Sequence, residues 1–542
     1  MDLEIRLTEG DLVTRAGRAD VRRGVSMVAT LLMGFFLASR VLGFVRQAAI
    51  TAVFGIGAEA DAWFAAFRLP DTLFTLFAGG ALISALIPVY TGFRDADQRE
   101  RVSELVSGVF NSLAVFMALA GALGALLAEP LTDLLLPGFD AETRATTVEA
   151  TRWLMISPLL LGLSAVAKGV LQSERQFLLP ALGPVLYNLG TIFGAVFLTE
   201  EFGVMGLVWG TLAGALVHVA IQAPGLARVG IRYRLSGGPG DWAVRRVLRL
   251  MAPRLLGFAV VQSSFFFVNF LASYIGESSV AALANGWLLL LFPLGVLAIP
   301  FAEASLPVFA SLWAQGDREG LSDQYHWALR NVLFLTVPAA AGLIVVATPL
   351  IGVLFERRAF NADATALTAA ALVFYAVGLV GHAAVEVLAR AFFAMQDTRT
   401  PVLVAVGSLL VHMLLSWLLS IWMGIGGLAL GVSIGVLLEA GAMYWLLRRR
   451  LPGPQDAFLA GTARVVGMAV LTALVVLGLR LATWPGGASS LMNAGWLVVY
   501  VLAGAAVYGG GMLLLGAEEA WGLHQKIRSR FGGGEGGEND AA

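Results

Sequence analysis

Two arginines, Arg40 and Arg46, stand in the stretch SRVLGFVRQ (Ser39 to Gln47), inside an apolar run that begins near Val25 and continues to about Phe54. A guanidinium stays charged at any ordinary pH and meets a phosphate or carboxylate through two parallel hydrogen bonds. Six residues apart on a helix is about 120° of rotation, so one helix can present both groups to adjoining faces of a cavity. Gly43 between them lets a ligand or a neighbouring backbone come close. A charge near the centre of a membrane helix costs roughly 2.5–3.5 kcal/mol, which a counter-charge, water or a ligand must offset. The chemistry is therefore either an anion clamp suited to phosphate or a structural ion pair with Asp61.

The next run, EADAWFAAFRLPD, places Asp61 and Arg68 seven residues apart, on one face two turns from each other, just before Pro70. Proline inside a span frees a carbonyl and is tolerated where helices line a cavity. Asp61 is read in two ways: as an orienter of the arginines or proton-linked switch, and as a solvated residue at the outer helix end. Further on, Arg254 and Glu303 lie towards one side of the membrane, and Glu386 and Arg390 form an i, i+4 pair that reads as a helix-end salt bridge. Glu303 follows LGVLAIPFAE, a broken-looking segment, and is a candidate gate contact. These four are secondary candidates. His382 and His412 are lone membrane histidines and read as hydrogen-bonded core residues. There is no HExxH, GxSxG or Walker loop, so the chain is not read as an enzyme, and no metal or cofactor is expected.

These side chains must be positioned by membrane helices. Of 542 residues 58% are hydrophobic and 13% charged, about half the charge of a soluble domain, and the mean hydropathy is +0.79. The chain is an all-α polytopic membrane protein. A net charge of −1 supplies no basic face for nucleic acid, and the absence of cysteine excludes disulfides and thiolate chemistry. About twenty apolar residues cross the hydrocarbon, and windows of that kind recur fourteen times, the first near 25–53, the second near 60–92, the seventh near 250–275 and the last near 491–515. No cleavable signal precedes them, and the first is read as a retained span. Lys and Arg gather in alternate loops, from Arg22 and Arg23 through Arg94, Arg99 and Arg101 to Arg448–Arg450 and Lys526. Both termini are therefore expected in the cytoplasm.

The chain also repeats itself. SALIPVYTGFRDADQRERVSELVSGVFN resembles ASLPVFASLWAQGDREGLSDQYHWALRN, and QSERQFLLPALGPVL resembles FAMQDTRTPVLVAVGSLL. Pro88 matches Pro307 at an offset of 219 and Pro180 matches Pro401 at 221. An offset of six spans keeps both copies in the same topology. The expected layout is a cytoplasmic segment at 1–23, a first six-helix lobe at 24–224, a cytoplasmic linker at 225–249, a second lobe at 250–449, two further spans at 450–516 and a tail at 517–542 whose Gly-rich acidic end is disordered. Two pseudo-symmetric lobes around a central cavity suit alternating access. The first copy is cationic where the second is apolar, as a ligand with an anionic head and a long apolar part requires.

SRVLGFVRQAAITAVFG, ADAWFAAFRLPD, LFERRAFNADATALTAAALVFYAVGL and RAFFAMQDTRTPV resemble the signature stretches of the MurJ (MviN) lipid II flippase family, within the multidrug/oligosaccharidyl-lipid/polysaccharide flippase superfamily. The similarity runs through spans one to twelve in order. It implies export of an undecaprenyl-pyrophosphate-linked saccharide, lipid II or a similar lipid, across the bacterial inner membrane for peptidoglycan synthesis. It also implies that Arg40, Arg46 and Asp61 serve the substrate, with Arg68 added here from its place in the same run. Two family arginines are replaced, by Phe74 in the second span and Leu288 in the eighth, and the eleventh span, VLVAVGSLLVHMLLSW, lacks the acid through which some members are thought to bind sodium. Three alternatives follow: a flippase for another undecaprenyl-linked glycan, a coupled exporter of cationic drugs, which a basic cavity disfavours, and a non-transporting scaffold that recruits cell-wall synthesis proteins.

Overall fold

The computed structural model describes residues 38–78, 80–235, 238–451, 455–484 and 490–522, with Phe35 and Gln525. All regular structure among them is helical, and thirteen helices are long and apolar enough to cross a membrane. Of the expected fourteen, the first begins outside the described residues and continues into them as α1, 38–54. There follow α2 (Ala58–Asp95), α3 (Arg99–Leu126), α4 (Ala141–Ser173), α5 (Leu178–Phe202) and α6 (Val204–Val229). Then come α7 (Trp242–Ile275), α8 (Ser279–Ala314), α9 (Arg318–Phe355), α10 (Ala362–Ala394), α11 (Arg399–Met423) and α12 (Ile425–Arg450). Two last helices, α13 (Gln455–Thr483) and α14 (Ser490–Leu514), complete the bundle.

α7 starts at Trp242, earlier than the apolar window near 250. The added turns carry Arg245, Arg246 and Arg249 beside buried Ala243, Val244 and Val247. Hydropathy marks where a helix meets hydrocarbon, and an amphipathic turn outside it goes unseen. The segment around LGVLAIPFAE is interrupted, by a π-helical turn at Leu294–Ala298 after Pro293. Such turns accommodate one extra residue within a helix. Pro70 lies inside the helical stretch Ala58–Phe77 of α2.

The internal repeat is visible in the backbone. α2 and α8 stop the same way: Asp97 and Gly316, 219 positions apart, have φ of 54° and 76°. The following N–H groups, of Gln98 and Asp317, reach back to the carbonyls of Phe93 and Leu312 at 3.0 Å. α4 and α10 end likewise, with Arg175 (φ 58°) and Gln396 (φ 60°) at an offset of 221, closed by Gln176 to Leu171 at 2.8 Å and Asp397 to Phe392 at 3.0 Å. Each is a Schellman stop, which satisfies otherwise orphaned carbonyls through one left-handed residue. Gly203 and Gly424, before α6 and α12, repeat φ of 53° and 55° at the same offset.

The chain divides into two compact units. One holds the described residues up to Val53 with Ala65–Thr132 and Ala145–Ala259, and the other holds Phe54–Phe64, Asp133–Arg144 and the chain from Val260 onward. The first has a core in which Leu86, Tyr90, Leu105 and Met117 of α2 and α3 meet Val166 and Val170 of α4 and Val244 of α7. Within it α5 and α6 cross at glycines: a Cβ on Gly210 would lie 2.4 Å from Gly194 Cα and 2.6 Å from the Gly190 carbonyl oxygen. Small residues at a spacing of four let two backbones meet where lipid offers no hydrophobic drive.

Candidate functional site

α1 presents Arg40 exposed and Arg46 half-buried, both in the first unit. The Asn188 side chain of α5 donates to the Ser39 carbonyl at 3.4 Å, which sets α1 against α5 beside Arg40. Neither arginine has a hydrogen bond or ion pair to another described residue. The nearby charge is Asp71, half-buried on α2, on which the charges of Arg68 and Arg46 both act. Arg46 and Asp71 act in turn on Tyr187 of α5. The first unit thus gathers Arg46, Arg68, Asp71 and Tyr187 into one electrostatic group. Asp71 ends the run EADAWFAAFRLPD, and the signal for it in the sequence is its spacing, three residues beyond Arg68 on the same helix.

Asp61 belongs to the second unit and is spent elsewhere. It is 1% exposed, and its Oδ1 accepts the backbone N–H of Ala281 at 2.7 Å, with the N–H groups of Ser278 and Val280 also directed at it. These are the unsatisfied donors of the first turn of α8, where the helix dipole favours a carboxylate. The bond is returned: Glu277 Oε1 accepts the Ala58 N–H at the start of α2, at 3.0 Å. Sequence proximity linked Asp61 with Arg40, Arg46 and Arg68; the fold instead gives it to a helix start about 220 residues away. Its position is neither solvated nor lipid-facing.

Of the secondary candidates, Arg390 donates to the carboxylate and to the carbonyl of Glu386, an i, i+4 pair. Glu303 is exposed on α8 and has no hydrogen bond or ion pair among the described residues. Arg254 lies on α7 with its side chain outside the described residues. His412 shares a hydrogen bond with Ser264 at 3.1 Å, and His382 packs edge-on against Trp287 with ring centroids 5.3 Å apart. Phe74 packs against the core of the first unit, and Leu288 is half-buried on α8.

Outside the spans, Asp397 caps α11 by accepting the Thr400 N–H at 3.0 Å and the Thr400 hydroxyl and Arg450 guanidinium at 2.5 Å each. Partial burial would raise its carboxyl, but Thr400 and Arg450 outweigh that and hold it down to about 2. The bond ties the end of α12 to the start of α11. Two further polar residues of the first unit, Lys168 and His218, have no counterpart in the reading of the sequence.

The family model described as lipid II flippase MurJ matches residues 50–504. The lipid II flippase MurJ of Burkholderia cenocepacia is 30% identical over 452 residues, covering 81% of this chain and 87% of that protein. A probable lipid II flippase MurJ of Bdellovibrio bacteriovorus is 30% identical over 513 residues, covering 93% and 97%. Among solved structures, a lipid II flippase MurJ in an inward closed conformation matches with a TM-score of 0.75 at 23% identity, over 90% of this chain and 98% of that one. An inward-facing multidrug transporter of the MATE family, in the MOP superfamily, matches at 0.65 and 18% identity, over 76% and 94%. These two structures bear on the fold alone.

Proposed function

The chain belongs to the lipid II flippase MurJ family, and on that premise we propose that it carries an undecaprenyl-pyrophosphate-linked saccharide, lipid II, from the inner to the outer leaflet of the bacterial cytoplasmic membrane by alternating access. The observation that carries the reading is Arg40 and Arg46, two guanidiniums on one membrane helix with no hydrogen bond or ion pair to another described residue. The charge of Arg46 acts on Asp71, and the two form no ion pair. Free bidentate donors in a low-dielectric setting are what a pyrophosphate needs.

The polyprenyl tail stays in lipid while the headgroup meets Arg40 and Arg46, both termini facing the cytoplasm. No bond is made or broken, so the chain acts as a carrier and not as an enzyme. Moving one charge across 100 mV is worth about 2.3 kcal/mol, enough for the membrane potential to drive return of the emptied site. Complementation tests the clamp: Arg40→Ala or Arg46→Ala, at normal protein level, is expected to fail to rescue cells depleted of lipid II export. Full rescue removes the clamp.

A second reading, a flippase for another undecaprenyl-linked glycan, is favoured by Phe74, which packs apolar carbon against the core at a position where the family resemblance implies a cation. Rescue of lipid II export by this chain decides between the two.

A further inference from the structure

Lys168 is one of only two lysines in the chain and stands on α4 about 8 Å along the axis from its end at Ser173. One turn before it on the same face is Ser164. α6 sets a pair with the same spacing, His218 and Gln222, against them. The Gln222 amide donates to the Ser164 hydroxyl and, at 3.1 Å, to the His218 carbonyl, and the charge of Lys168 acts on the His218 ring. α5 forms the third wall. Tyr187 lies 6.5 Å from the His218 ring, centroid to centroid, and Gly183 makes room for it, since a Cβ there would stand 1.9 Å from His218 Cδ2.

Three polar groups in this seam are left over. His218 Nδ1 and Gln222 Oε1 are buried with no hydrogen-bond partner, and Lys168 has neither ion pair nor hydrogen bond among the described residues. A lone ammonium in a span is costly unless it meets water or an anion. Lys168, Tyr187 and His218 are only half-buried, so a ligand can reach them. Tyr187 also feels the charge of Arg46, which joins this seam to the arginine group.

We infer that Lys168, with His218 beside it, is a second anion-binding contact for the transported lipid, taking a phosphoryl or carboxylate oxygen of the headgroup while Arg40 and Arg46 hold the pyrophosphate. This rests on the flippase reading, and it returns a cation to a chain in which Phe74 and Leu288 replace two.

The test is titration of the purified full chain with lipid II and with undecaprenyl pyrophosphate, followed by native mass spectrometry. Lys168→Gln is expected to weaken lipid II binding about tenfold, the loss of one charge-assisted contact, with an unchanged melting temperature. Lys168→Arg should bind within about threefold of wild type, a rescue that a packing role would not give. A loss seen with both lipids assigns Lys168 to a phosphoryl oxygen; a loss confined to lipid II assigns it to a headgroup carboxylate. Either outcome supports the contact. If Lys168→Gln fails to accumulate, His218→Asn is the second variant, expected to weaken binding about threefold. Unchanged binding of both lipids by Lys168→Gln, or by His218→Asn in its place, overturns the inference. If Arg46→Gln loses the same lipids, the clamp stands without it. If Arg46→Gln also binds normally, the site reading itself falls.

Discussion

Asp61 accepts the Ala281 backbone N–H at 2.7 Å across 220 positions of sequence, while Glu277 accepts that of Ala58 at 3.0 Å across 219. α2 therefore lends a carboxylate to the start of α8, and the turn before α8 lends one to the start of α2. A capping side chain is worth about 1 kcal/mol and up to about 2. Asp61→Ala is expected to lower stability by that amount, read as a fall in melting temperature. Asp61→Asn, which keeps an acceptor, should lose less. An unchanged melting temperature for Asp61→Ala would show the cap to be idle.

Asp71 lies where the charges of Arg68 and Arg46 act on it, beside any anionic ligand they hold. Asp71→Asn removes a carboxylate from that neighbourhood and is expected to tighten pyrophosphate-lipid binding about threefold or more. Lipid titration reads the change. Weaker binding would mean that Asp71 positions the arginines.

Asp397 gives a pH signature. Its carboxyl is held down to about 2 in the fold against an ordinary 3.8, so its contribution is fully present above about pH 4 and fades as pH falls towards 2. The melting temperatures of wild type and Asp397→Asn should differ at neutral pH and converge over that window. A constant gap between pH 5 and pH 2 would contradict this.

Gly210 sits against the backbone of Gly194 and Gly190, so an added methyl meets main chain that no rotamer can clear. Gly210→Ala should cost about 1–3 kcal/mol. Gly441, whose Cβ would meet nothing within 4 Å, serves as the control, and Gly441→Ala should melt as wild type does. Equal melting temperatures for the two variants would refute the close crossing.

Much of the fold is legible in composition. Twenty-residue apolar windows mark spans whatever they pack against, because the bilayer's thickness alone sets their length. The offsets of 219 and 221 read from Pro88 and Pro180 reappear in the paired left-handed residues that end α2, α4, α8 and α10. Helix stops are local, and local sequence carries them. The start of α7 was missed because Arg245, Arg246 and Arg249 lie on a turn that no hydropathy window counts.

The site was legible only in part. Arg40 and Arg46 stand out because a cation in an apolar run is anomalous by type. Lys168 is equally anomalous in LGLSAVAKGVLQS, but no neighbouring motif marks it as part of a site.

The sequence by itself determined that this chain crosses a membrane many times, that it is a duplicated structure, and that it places unbalanced cations in its first copy. Each is a matter of residue type, spacing or sum. Only the tertiary structure decided where Asp61 is used: at a helix start 220 residues away. It alone brought Lys168, Tyr187 and His218 together from three helices. A hydrogen bond or a charge contact depends on angstroms between groups on different helices, and a linear chain holds no record of that distance.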